Sequence, residues 1–139
     1  MAAAPKGLKL APSPEKLFRQ VHPDYYQDGK LGELAFRCTD ADQGLLSVSL
    51  ESKTTAREAY ERRNRARPGA SAGVWAVSVD ECHRIQLDAY SDPVDGPEPD
   101  PAHGCIDYRQ LSKTDARLKR KLLVAFAEKR GPEYLPAGP

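Results

Sequence analysis

GVWAVSV, residues 73–79, is the most apolar run in the chain, and its apolar side chains do not alternate with polar ones. A short apolar run without alternation reads as a strand covered on both faces. It predicts a central strand of a sheet. The segments on either side settle what kind of sheet. Upstream, EKLFRQVH (15–22) alternates in part, with Leu17, Arg19 and Val21 opposed to Phe18, Gln20 and His22. It reads as a strand that stops at Pro23, because the residue before proline favours extended backbone. DYYQDGK (24–30) reads as a turn around Asp28-Gly29. ELAFRC (33–38) and LLSVSL (45–50) read as two more strands, close enough in sequence to form an antiparallel hairpin.

Helical signals sit between and after these runs. In TTAREAYERRNRAR (54–67), Thr55 and Glu58 have the capping-box spacing, and Ala56, Ala59, Tyr60 and Arg63 form the inward stripe. Arg67-Pro68-Gly69 ends the helix. Asp80 is the expected N-cap of one turn, ECHR (81–84). RIQLDAY (84–90) alternates like a strand, and GCIDY (104–108) is a short strand. Ser112 with Asp115 caps a longer helix, whose stripe is Leu118, Leu122, Ala125 and Phe126, and Gly131 closes it. About five strands and two main helices that do not alternate regularly predict an α+β domain with a mixed or mostly antiparallel sheet, the longer helix being C-terminal. The expected organisation is a flexible arm over residues 1–14, one domain over 15–131 and a tail over 132–139.

The chain has 139 residues, 40% of them hydrophobic and 29% charged, with a net charge of +1. That suits one soluble domain with no global field toward nucleic acid or anionic lipid. The opening residues lack the apolar core of a signal peptide, and no run is long enough to span a bilayer. Three cysteines without a CxxC pair suggest a reduced, cytoplasmic protein. Charge is local instead. From Asp88 to Pro101 there are five acids (Asp88, Asp92, Asp95, Glu98 and Asp100) and no base, four of them in the proline-rich loop from Ser91 to Ala102, whereas the last helix has seven bases against Asp115 and Glu128. Aromatic residues are not interleaved with those bases, so nucleic-acid stacking has no platform.

Candidate chemistry is sparse. His22 lies at a strand end beside Asp24, where an imidazole could serve as a general base or fix the turn. Cys82, His83, His103 and Cys105 lack the spacing of a zinc site, so no metal is expected. No phosphate loop, GxSxG elbow or HExxH helix is present.

LFRQVHP, LAFRC, LLSVSL, GVWAVSVDEC, CIDY and LSKTDARLKRKL, taken in order, resemble a family of small bacterial proteins of uncharacterised function, over most of residues 17–130. The strand order is also remotely similar to ADP-ribosyltransferase-type folds. That likeness implies a site in which Arg19 or His22 meets the phosphate or ribose of NAD, with Tyr25 or Tyr26 and Ser47 beside the nicotinamide. Glu81 and Glu98 lie outside the context of the catalytic glutamate of such folds.

Two functional expectations follow. The first is a cytoplasmic binding module, of an accessory, antitoxin or immunity kind, without cofactor. It works through a protein partner, using Lys119, Arg120 and Lys121 on the basic helix and Asp92 and Asp95 in the acidic loop. The second is an NAD-using transferase or hydrolase with its site near Arg19 and His22.

Overall fold

The computed structural model describes residues 4–136. Seven strands form in chain order: β1 (Lys16–Val21), β2 (Tyr26–Gln27), β3 (Lys30–Leu31), β4 (Leu45–Leu50), β5 (Gly73–Ser78), β6 (Ala89–Ser91) and β7 (His103–Asp107). The helices are α1 (Ala56–Ala66), α2 (Val79–Arg84) and α3 (Lys113–Arg130). Five strands make one sheet, ordered β5-β1-β4-β7-β6, with every neighbouring pair antiparallel. The fold is thus α+β, with the longest helix at the C-terminal end. β2 and β3 form a separate two-stranded hairpin around Asp28-Gly29, whose φ values of 52° and 78° are those of a tight primed turn.

Register explains the two faces. Leu17 stands opposite Leu50 and Val77, and Phe18 opposite Ser49 and Ala76. Leu17, Val21, Leu46, Val48, Trp75, Val77 and Ile106 face one side, where they join Leu123, Val124 and Ala127 of α3 in the main core. Phe18, Val74 and Ala76 face the other side and pack against Ala56 and Tyr60 of α1. β5 is buried along its whole length because helices lie on both its faces.

Several expectations are corrected. β5 is an edge strand of the sheet, not a central one. Its outer side is covered by the chain's own C-terminal segment: Val74 N–H donates to Tyr134 O at 2.9 Å, Glu133 N–H donates to Val74 O at 2.8 Å, and Arg130 Nη1 donates to Ala76 O at 3.1 Å. ELAFRC is not a strand. Glu33–Phe36 is a 3-10 helix that tucks Ala35 and Phe36 under α3, so no hairpin joins it to β4, which pairs with β1 and β7. RIQLDAY contributes only Ala89 and Tyr90 to a strand, β6. Cys82 O accepts the N–H groups of both Ile85 and Leu87 as α2 ends, and Gln86 has φ 62°. Ser78, not Asp80, caps α2.

The stripe on α3 is also rotated. Leu118 and Leu122 are 57% and 38% exposed, whereas Leu123, Val124 and Ala127 are buried. The Ser112 cap is as expected, accepting from Asp115 N–H at 3.1 Å. The segment expected as a flexible arm runs beside β6: Leu10 N–H donates to Ala89 O at 2.8 Å, and Ser91 N–H donates to Leu8 O at 2.9 Å. Residues 1–3 and 137–139, assigned to the arm and the tail, lie outside the described residues. The acidic loop is tied by Arg62, which donates to Glu98 O and Pro99 O and lies 3.7 Å from the Asp100 carboxylate.

One ion pair locks α3 to the start of α2. Glu81 Oε1 accepts from Arg130 Nη1 at 2.7 Å and from Ser78 N–H at 2.8 Å. Burial pushes the Glu81 carboxyl up, but these two bonds outweigh it and hold it below its ordinary value of 4.5. A carboxylate with a depressed folded pKa contributes stability above its unfolded pKa and loses it as pH falls through the folded one. The protein should therefore lose stability as pH falls below 4.5. Glu81→Gln should lose less over the same range, since its amide has no proton to take up. Urea unfolding at stepped pH reads the difference. Parallel curves for the two proteins would remove Glu81 from the acid response.

Candidate functional site

The residues expected around NAD do not converge. Arg19, on β1, donates from Nε to Ala35 O at 3.1 Å and from Nη1 to Ser47 O of β4 at 3.0 Å. Burial pulls its guanidinium below the usual pKa, partly offset by Asp42. It pins the 3-10 helix to the sheet and spends those donors on main-chain carbonyls. His22 is half-exposed. Its Nδ1 accepts from Asp24 N–H at 3.1 Å, and its ring lies 5.9 Å from that of Tyr25. It caps the short 3-10 turn Pro23–Tyr25. Tyr26 instead packs on Trp75, ring to ring at 4.8 Å.

The basic helix divides its charges unevenly. Arg120 lies in the inward stripe of α3, with Nη2 donating to Glu33 Oε1 at 3.1 Å. Lys119 Nζ donates to Gln86 O at 3.4 Å. Of the three bases singled out in the sequence, only Lys121 is exposed. Helical spacing places Leu118, Leu122, Ala125 and Lys129 along one line, at intervals of four, three and four residues, and all four are exposed. Lys121 and Arg117 lie along one side of this line with Glu128 between them, Arg117 Nε being 3.4 Å from Glu33 Oε1, and Asp115 lies on the other side. The outer face of α3 is therefore an apolar strip with bases along one side and Lys129 at its end. The sequence carried the signal for it, because those three apolar residues belonged to its apparent core stripe, of which only Phe126 packs against the core.

Of the two acids singled out in the loop, Asp95 is exposed and Asp92 is half-buried. Asp92 Oδ1 accepts from Lys6 N–H at 2.9 Å, and its own N–H donates to His103 O at 2.9 Å. His103, on β7, turns Nδ1 toward Asp92 and Nε2 toward Ser47 of β4. In the sequence His103 stands out only beside Cys105, as part of an incomplete metal spacing. Its partners stand 11 and 56 residues away, and only strand pairing gathers them.

The cysteines are free. Burial, aided by Asp42, pushes the Cys38 thiol up to about 11, and burial pushes Cys82 and Cys105 up to about 12. Such thiols are protonated near neutrality and poor nucleophiles. Among the described residues no group of three His, Cys, Asp or Glu side chains could hold a metal ion, and no helix is long and apolar enough to cross a membrane. Comparison with family models, curated proteins and solved structures found no match to this chain.

Proposed function

We propose that the chain is a protein-binding module that takes an acidic, leucine-bearing helical segment of its partner on the outer face of α3. The observation that carries this reading is the exposure of Leu118 and Leu122, 57% and 38%, one turn apart on a helix whose exposed bases are Lys113, Arg117, Lys121 and Lys129 against the exposed acids Asp115 and Glu128. Apolar anchors beside a basic excess give, respectively, binding energy and steering. The charge selects the occupant. A second copy of α3 would set bases against bases, while an acidic segment would neutralise them. The strip bears no aromatic residue of the sort that seats interfacial helices in lipid.

The test uses a labelled amphipathic peptide with leucines at helical i, i+4 spacing and glutamates on the flanks, measured by fluorescence anisotropy. Wild type should bind it, more weakly as salt rises. Leu118→Ser/Leu122→Ser should weaken binding at least tenfold, the effect of about 1.4 kcal/mol lost, with the melting temperature little changed. Equal binding by wild type and variant would end this reading, as would binding to anionic vesicles in preference to the peptide. A dimer in sedimentation that the double variant abolishes would replace the acidic partner with a second copy.

A further inference from the structure

We propose that Ser47, His103 and Asp92 form a nucleophile, a general base and an orienting acid able to cleave small activated carboxylic esters. This site is on the sheet, independent of the outer face of α3. Ser47 and Ser49 project from β4 on the same side as Phe18, and Ser49 pairs with His103 of β7. His103 leans diagonally, so that Nε2 comes within 3.2 Å of Ser47 Oγ. On the ring's other side, Nδ1 is 2.7 Å from the main-chain O of Asp92 and 3.4 Å from its carboxylate.

These partners determine the tautomer. A carbonyl oxygen only accepts, so at 2.7 Å it requires Nδ1 to carry the proton. The lone pair is then on Nε2, toward the Ser47 hydroxyl. That is the arrangement in which a serine is activated by an adjacent base and the base is oriented by a third group. The Asp92 carboxylate adds negative charge where an imidazolium would form. Asp92 is itself held by Lys6 N–H and by the main-chain bond to His103 O. Ser47 is exposed, whereas His103 and Asp92 side chains are only 22% and 20% exposed, so the base is sheltered and the nucleophile is open to reagents.

In the first step Ser47 Oγ bonds to the ester carbonyl carbon while its proton moves to His103 Nε2. The carbon–oxygen bond to the leaving phenol then breaks, and that phenol takes the proton from Nε2. Water repeats the sequence on the acyl-serine, passing a proton through Nε2 back to Ser47 Oγ and releasing the carboxylic acid. The open strand surface favours small, unhindered acyl groups on good leaving groups.

The probe is p-nitrophenyl acetate, with the modified residues located by peptide mass spectrometry. Ser47 and Ser49 fall on one tryptic peptide, between Arg37 and Lys53, so each protein carries its own control. Ser47 should be acetylated about 100-fold faster than Ser49, the low end of what one positioned base supplies. His103→Gln should remove that advantage. Ser47→Ala should drop acetylation of the peptide to the slow background rate of Ser49, with the melting temperature unchanged. Ser47 and Ser49 labelled at equal rates in the wild type would overturn the assignment without any variant, as would unchanged Ser47 labelling in a folded His103→Gln protein.

Discussion

Phe36→Ala should lower stability by about 3–5 kcal/mol, the range for a fully buried aromatic truncated to a methyl group. Phe36 ends the 3-10 helix Glu33–Phe36 and is 0% exposed. Its ring belongs to the main core, in which α3 and the sheet also meet, and its carbonyl accepts from Tyr108 Oη at 2.8 Å. The Tyr108 hydroxyl and the Arg19 bond to Ala35 O hold the short helix from two sides, so the backbone has little freedom to collapse into the space left. The cavity cost should therefore be added to the transfer cost. Urea unfolding followed by the fluorescence of Trp75 measures it. A loss below about 1 kcal/mol, the usual limit for surface positions, would mean that the segment is not packed under α3.

Leu123→Ala should cost about 2–5 kcal/mol and Leu118→Ala less than about 1 kcal/mol. Both are leucines on one helix, five positions apart, and differ in what lies beneath them. Leu123 is 0% exposed among Val124, Ala127 and the sheet residues, and Leu118 is 57% exposed. Two urea titrations at the same temperature decide the matter. Equal losses, or the larger loss at Leu118, would rotate α3 onto the stripe that the sequence first suggests and would remove the proposed docking strip with it.

That rotation shows where sequence reasoning stopped. Apolar residues on α3 fit two overlapping helical stripes, Leu118-Leu122-Ala125 and Leu123-Val124-Ala127. Hydrophobic spacing cannot rank them, and what settles the choice is the 3-10 helix beneath, whose Glu33 holds Arg120. ELAF had the same ambiguity on a smaller scale, since four residues are too few for either period to declare itself. The β5 run was legible as buried on both faces. Its place at the sheet edge was not, because the residues that cover it, Glu133 and Tyr134, come from the far end of the chain. The caps of α1 and α3 were legible, as Thr55 and Ser112 act within three residues of themselves, whereas that of α2 was misplaced by two residues, from Ser78 to Asp80. Ser47, a candidate from resemblance, was found without its partner. His103 offered no local pattern, since the pairing of β4 with β7 is what brings it within reach.

The two end segments have a consequence for association. A sheet edge is a row of free donors and acceptors, a template for any extended chain. Here the outer strands β5 and β6 carry Tyr134 and Lys9 as bridge partners, taken from the two ends of the described chain. The molecule completes its own ladders intramolecularly. Loss of either segment by proteolytic trimming would turn β5 or β6 into an acceptor for a strand from a neighbouring copy. With one edge freed, two copies could pair like edges into a closed dimer; with both freed, the product would be an open-ended chain of molecules joined edge to edge, a polymerisation hazard unrelated to the outer face of α3.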